Sequence, residues 1–279
     1  MRETLFNATA RYVSRPALGL VRSQKVLRRL TALQFAFVPD PPGVTVDPDS
    51  HGGVPGLTIR PADAADAPIR LLYLHGGGFT ICSPRTHRAL VARLVLASGM
   101  PAFVPDYRLA PEHPFPAAFD DAEAAYDALR ARGPLNVGGD SAGGTLALHL
   151  GRTRDPQRLV LLSPLSDMQR VTTGADFSGE RLIHPAWTRR LPGALGHPDP
   201  SDPRLSPARS DLSGLPPTLI HVGRAEMLEP DAHAVARAAP VARVTVFDGV
   251  AHVWQMNAGR SDAANASLDA LGAFLRGAS

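Results

Sequence analysis

Cysteine is nearly absent from this chain. Cys82 stands alone, so no intrachain disulfide can form and a reducing compartment is the compatible setting. A small buried filler is the expected role of that thiol. Lysine is as scarce, with Lys25 the single example. The net charge of +3 and the pI of about 9.5 therefore rest on arginines scattered among acids. With aromatics at only 6%, no basic run with interleaved rings is available to form a nucleic-acid face. No apolar stretch reaches the roughly 18 residues of a membrane span. Met1-Arg2-Glu3 is not followed by the apolar core of roughly 7–15 residues that a secretory leader needs. A cytoplasmic protein with no stable membrane insertion is the expectation.

What is present suits a packed globular protein. Hydrophobic residues at 44% and charged residues at 20% supply the apolar side chains that disordered chains lack. In the first segment Arg11, Arg15, Arg22, Lys25, Arg28 and Arg29 interleave with Leu18, Leu20, Val21, Val26, Leu27 and Leu30. That is the pattern of an amphipathic basic helix. Such a helix can rest on a membrane surface, and covering part of its own domain is the preferred reading. Pro39-Asp40-Pro41-Pro42-Gly43 ends it in a loop.

Beyond that loop, short apolar runs alternate with helical patterns. Strands are expected at 57–59, 69–74, 101–105, 135–138, 159–162, 218–222 and 244–247, and helices at 85–98, 117–130, 142–150 and 264–275. The alternation argues an α/β fold with a mostly parallel central sheet flanked by helices. Two regions break it: a helical segment at 1–45, and an insertion at about 166–207 that is rich in Pro, Arg and Asp. Both are expected to cap the carboxyl ends of the strands, where open α/β sheets bind ligands. Residues 46–279 are then the main domain, and Trp187, Leu191 and Leu195 the cap's apolar lining.

Gly139-Asp140-Ser141-Ala142-Gly143 fits G-x-S-x-G. The pentapeptide alone is weak, but a short strand precedes it and a small-residue helix follows. A serine on such a turn is held in a strained conformation, with flanking glycines, and Gly144 beyond them, leaving room for strand and helix to approach. Ser141 also sits at a helix N-terminus, whose partial positive charge favours a developing anion. His75-Gly76-Gly77-Gly78-Phe79 follows the best strand in the chain. Glycines there let backbone N–H groups face a cavity, and with the Ala142 N–H they can form an oxyanion hole.

A serine nucleophile needs a histidine on a later loop. His221 falls inside a strand, His184 and His197 in the cap region and His233 in a helix. His252 comes directly after the last strand, in Asp248-Gly249-Val250-Ala251-His252, and is the best placed. The orienting acid should follow a strand end between the two. Glu226 does so and is preferred. Asp167, which holds the same kind of position one strand earlier, and Glu229 and Asp231 stay open as alternatives.

These motifs, with Asp106-Tyr107-Arg108-Leu109-Ala110-Pro111-Glu112 between them, resemble the hormone-sensitive-lipase family of esterases of the Gly-Asp-Ser-Ala-Gly type, over roughly residues 54 to 275. The resemblance implies a capped α/β-hydrolase fold with a Ser141–Glu226–His252 triad. It implies oxyanion donors at Gly77, Gly78 and Ala142, with His75, Gly76 and Asp140 as the supporting motif, and a preference for short acyl esters. The family's usual acid is aspartate in G-x-x-D-x-L, where this chain has Gly223-x-x-Glu226-x-Leu228. Asp106-Tyr107-Arg108 is expected to pair, buried beneath the site. The expected partner is a small-molecule ester, with no nucleic acid, no metal and no cofactor, and with a homodimer left open. The same triad would serve a lactone, amide or carbamate. A ligand-binding receptor on this fold would have no need of His252.

Overall fold

Short runs that are apolar on both faces suit strands covered on both sides, and they set the frame of the molecule. The computed structural model describes residues 2–277. Its strands are β1 (Val44–His51), β2 (Val54–Pro61), β3 (Leu71–Leu74), β4 (Ala102–Pro105), β5 (Asn136–Asp140), β6 (Leu159–Leu162), β7 (Thr218–Gly223) and β8 (Ala242–Phe247). They form one sheet in the order β1-β2-β4-β3-β5-β6-β7-β8. β3 to β8 run parallel, while β2 pairs antiparallel with both β1 and β4.

Side chains alternate across this sheet and feed two cores. Leu72, Leu74, Leu159 and Leu161 join one core, and Leu71, Tyr73, Val160 and Leu162 the other. The helices of the N-terminal segment are α1 (Arg2–Thr9), α2 (Arg15–Leu20) and α3 (Gln24–Ala36). Next come α4 (Pro84–Ser98), α5 (Ala117–Arg130) and α6 (Ala142–Thr153). Short helices α7 (Met168–Thr173), α8 (Pro185–Thr188) and α9 (Leu191–Ala194) occupy the insertion, followed by α10 (Glu229–Ala238) and α11 (Asp262–Leu275). α4 and α11 cover one face of the sheet, and α5, α6 and α10 the other. Helix α4 shows local and tertiary preferences agreeing. Pro84 sits in its first turn, the Ser83 N–H donates to Thr86 Oγ1 at 3.1 Å, and Gly99 closes it at φ 70°.

Two expectations need correction. The N-terminal basic segment is not one helix. A wide turn at Ala10–Ser14, where the Arg15 N–H reaches back five residues to the Ala10 carbonyl, joins α1 to α2 just ahead of Pro16. Proline has no N–H to continue an ordinary ladder. The helix then breaks at 21–23, and Ser23 caps α3 by accepting from the Val26 N–H. The second correction is β1, which the sequence hid. It carries Asp47, Pro48 and Asp49 in an edge strand with little burial, where a missing N–H is tolerated. Among the described residues, no helix is long and apolar enough to cross a membrane.

The close approach of α6 to the sheet yields a stability test. A Cβ at Gly143 would overlap the carbonyl oxygen of Leu74, whereas nothing lies within 4 Å of one at Gly214. Gly143→Ala is expected to lower unfolding free energy by about 3 kcal/mol or more, and Gly214→Ala by less than about 0.5 kcal/mol. Urea unfolding followed by circular dichroism reads both.

Candidate active site

Loops at the carboxyl ends of β3, β5 and β8 line one cavity, and the loop after β7 backs the last of them. Ser141 connects β5 to α6 at φ 51° and ψ −119°. That conformation costs an L-residue of order 1–3 kcal/mol and persists only where the surroundings over-determine it. Here they do. The Ser141 N–H donates to the Leu162 carbonyl at 3.0 Å, and its own carbonyl accepts from the Leu165 N–H at 3.0 Å. A Cβ at Gly139 would collide with the Gly143 carbonyl, and one at Gly144 would lie 2.8 Å from Pro164. The glycines are thus required by close approach on both sides of the serine.

His252 is buried at the end of the loop after β8, and β7 is that strand's neighbour. The adjacency brings Glu226, in the loop after β7, to the imidazole: Nδ1 lies 2.7 Å from Glu226 Oε2. The other carboxylate oxygen accepts from the Gly223 N–H at 2.6 Å and from Ser163 Oγ at 2.9 Å. Glutamate's extra methylene is accommodated because the chain folds back, with Ala225 at φ 67°, so that the carboxylate reaches its own strand end. With Glu226 accepting from Nδ1–H, the neutral ring carries its free lone pair on Nε2. Burial works against the imidazolium. The Glu226 hydrogen bond and charge, with Glu180 and Asp140 behind them, outweigh it, so His252 titrates above its usual value.

Gly77 and Gly78 lie in the loop after β3 with φ of 111° and 59°. Among the described residues, no acceptor takes their N–H groups, nor that of Ala142, which begins α6 and has no intrahelical acceptor. A Cβ on Gly78 would meet the Trp187 ring at 2.6 Å. Gly76 is packed under Asp140, whose carboxylate occupies the space a side chain would take. Asp140 itself accepts from Tyr73 Oη at 3.1 Å and faces His87 Nε2 at 3.2 Å. Burial pushes this carboxyl up, but His87, His75 and Tyr73 outweigh it and hold it below its ordinary value. His75 is pushed down to about 3 by burial, with His87 adding to the shift. It stacks on Tyr107 at 4.2 Å, and Tyr107 Oη donates to the His75 carbonyl at 2.6 Å.

The other candidates lie elsewhere. Asp167 caps α7 by accepting from the Arg170 N–H at 2.9 Å, and it pairs with Arg209 at 2.9 Å. Asp231 is buried against Arg170 and accepts from the Ser166 N–H at 2.7 Å. Glu229 accepts from the Ala225 N–H at 2.9 Å. The Asp106–Arg108 pairing does not form. Both residues are exposed, and Arg108 bonds Asp121 instead; only Tyr107 is buried beneath the site. Cys82 is not a buried filler but a partly buried residue on the cavity wall. Burial pushes its thiol up to about 12. Leu191 and Leu195 also depart from expectation: neither lines the cavity, Leu191 packing beside Gly78 and Leu195 lining a separate small pocket with Phe79 and Phe119.

Sequence reasoning missed three groups. Ser163 steadies Glu226, and His87 steadies Asp140. Glu180, in the insertion, accepts from the Met227 N–H at 3.0 Å and from the Leu182 and Ile183 N–H groups at 2.7 and 3.0 Å. It thereby ties the insertion to the loop carrying Glu226. No local pattern marks any of them.

The cavity has a volume of about 140 Å³ and is lined by Gly77, Ser141 and His252 on the sheet side and by Leu18, Leu27 and Trp187 above. Its roof comes from both irregular segments. Arg190 donates to the Leu18 and Gly19 carbonyls at 2.6 and 3.2 Å, and Arg15 to the Ile183 carbonyl at 3.2 Å.

Comparison with known proteins agrees with this arrangement. Residues 71–256 match a family model described as the alpha/beta hydrolase fold. An acetyl-hydrolase of Streptomyces hygroscopicus is 38% identical, over 92% of this chain and 90% of its own. An esterase of Acinetobacter venetianus is 35% identical, over 88% of this chain and 83% of its own. Among solved structures, an esterase from the bacterial hormone-sensitive lipase family superposes with a TM-score of 0.83 at 33% identity, covering 92% of each chain. A mutant of the esterase E40 superposes with a TM-score of 0.88 at 33% identity, covering 99% of this chain and 98% of that one. The chain belongs to the α/β-hydrolase family, in its hormone-sensitive-lipase branch.

Proposed function

We propose that this carboxylic-ester hydrolase works through an acyl-enzyme on Ser141, with His252 as general base, Glu226 as the carboxylate that orients it, and the Gly77, Gly78 and Ala142 N–H groups as oxyanion donors. The observation that carries the reading is the 2.7 Å contact from Glu226 to His252 Nδ1, on a ring that faces the same cavity as a serine held at φ 51°. In the first step Ser141 Oγ attacks the ester carbonyl carbon while His252 Nε2 takes its proton. Charge that develops on the carbonyl oxygen is met by N–H groups that no acceptor among the described residues occupies. His252 then gives the proton to the departing alkoxide, leaving an acyl-enzyme. Water repeats the cycle and frees the acid. Asp140 and His75 form the floor that holds the oxyanion loop in place and do not touch the reacting atoms.

The N-terminal segment and the insertion at about 166–207 act together as the cap. An apolar cavity of about 150 Å³ holds one benzene ring, so a chamber of 140 Å³ suits short acyl groups. Esters of C2 to C6 acids are preferred over C12 and longer.

Ser141→Ala is expected to lower kcat by about a millionfold with the fold unchanged. A tenth of wild-type activity remaining would remove Ser141 from the role. Glu226→Gln is expected to cost about ten-thousandfold in kcat, while Asp167→Asn, which loosens a helix cap, stays near wild type. The reverse ranking would move the acid to Asp167.

The pH profile provides a further check. His252 must be neutral to take a proton, and Glu226 stabilises its charged form. The acid limb of kcat/KM is therefore expected above the ordinary imidazole value of about 6.5. In Glu226→Gln that charge is gone while burial still disfavours the imidazolium, so the limb moves to lower pH. A limb that stays in place in this variant would show that Glu226 does not set the ionisation of the base.

A further inference from the structure

The outer surface of the N-terminal segment differs from the rest of the molecule. Among the described residues, every large exposed hydrophobic but Val241 lies between residues 5 and 37. On α1, α2 and the turn between them these are Leu5, Tyr12, Val13 and Leu20, the last 82% exposed. On α3 and its end they are Val26, Leu30, Leu33 and Phe37, which recur at i, i+4, i+7 and i+11 and so form one stripe along the helix. The adjoining side of α3, about a quarter-turn round the helix, carries buried Leu27 toward the cavity. The helix is apolar on two sides, and only one of them is covered by its own protein.

Charge points to what meets the other side. No acidic residue occurs between Glu3 and Asp40, while that stretch holds six cations. Arg15 is tied to the Ile183 carbonyl in the insertion, Arg28 to the Thr80 and Ala110 carbonyls and to Glu112, and Lys25 lies 4.0 Å from the same carboxylate. Arg11, Arg22 and Arg29 are exposed and have no ion-pair partner among the described residues. A second copy placed on this face by a two-fold axis would set cations against cations. An apolar stripe flanked by unpaired cations matches instead an anionic lipid surface, into whose headgroup region such helices settle by their apolar side.

We propose that the outer face of α1 to α3 docks this enzyme on anionic lipid surfaces. Leu30 both lines the cavity and reaches solvent, and Thr31, Gln34 and Phe35 follow it along the wall. Docking therefore sets the mouth of the chamber against the interface, where sparingly soluble esters collect. The association is peripheral.

The test is co-sedimentation of the whole chain with vesicles. Equal parts phosphatidylglycerol and phosphatidylcholine are compared with phosphatidylcholine alone. Binding is expected to the anionic vesicles, at least about tenfold stronger than to the neutral ones, and lost in about 1 M salt, where the Debye length falls to about 3 Å. Leu33→Ser with Phe37→Ser, and separately Arg22→Glu with Arg29→Glu, should each weaken it at least about tenfold. All four positions are exposed and none lines the cavity. Hydrolysis of a soluble butyrate ester should therefore stay at the wild-type rate in both variants, which separates failure here from failure of the catalytic reading. Wild-type protein that binds neither vesicle overturns the proposal, as does binding that neither pair of substitutions changes. A dimer that Leu33→Ser with Phe37→Ser dissociates, with no vesicle binding by the wild type, assigns the face to a second copy and overturns it as well.

Discussion

The backbone of α6 passes so close to the end of β3 that a Cβ at Gly143 would overlap the Leu74 carbonyl, and Gly139 faces the Gly143 carbonyl with equally little room. That contact joins the two loops that must cooperate. β3 leads into the glycines whose N–H groups are free, and β5 leads into Ser141. Their relative position is fixed by main chain on main chain, with no flexible side chain between. Strain at Ser141 follows from the same approach, because the chain must reverse from strand to helix within one residue. Bonds to Leu162 and Leu165 in the adjacent strand and loop hold that strain in place.

Two buried carboxylates sit within this frame, and each depends on its neighbours to stay ionised. Asp140 faces His87 and Tyr73, and Glu226 faces His252, Ser163 and the Gly223 N–H. A carboxylate taken from water without such partners would protonate. The two differ in what their histidine can reach. His87 is buried, and its other ring nitrogen meets Thr86 Oγ1 at 2.9 Å, so both nitrogens have protein partners. Among the described residues His252 has only Nδ1 engaged, and its ring, like that of His87, borders the cavity. The same pairing of groups thus serves as a fixed floor in one place and leaves a basic nitrogen available in the other.

Much of this was legible in the sequence because it is local. A helix at 117–130 and a strand at 159–162 coincide with α5 and β6, since short apolar runs and alanine-rich periods have few other ways to bury themselves. The proximity of Glu226 and His252 followed from strand adjacency, as successive parallel strands are usual neighbours. What stayed hidden involves partners distant in the chain. Ser163 and Glu226 are 63 residues apart, and His87 and Asp140 are 53 apart; no spacing rule links them. β1 was hidden for another reason. Its side chains are mostly uncovered, so it carries no apolar alternation to read. The Asp106–Arg108 pairing failed because the two residues flank buried Tyr107 on the solvent side, where nothing drives them together, and Arg108 found Asp121 on α5.

The roof is held by a different kind of force from the floor. Arg190 reaches the carbonyls of Leu18, Gly19 and Val21, which are the groups that the end of α2 leaves without intrahelical donors. A cation at a helix C-terminus meets both the hydrogen-bonding need and the partial negative charge there. Gly19 permits the closeness, since a Cβ would lie 2.9 Å from the His184 ring of the other cap segment. The insertion and the N-terminal helices are thus clasped by donors on arginine, over a chamber whose walls are apolar. The floor rests on interlocked backbone with every neighbour buried. Side-chain donors on partly exposed arginines are easier to part than main-chain packing, because water replaces their bonds as they separate. The positions of Ser141, His252 and Glu226, all set by strand ends, therefore do not depend on the bonds that hold the roof.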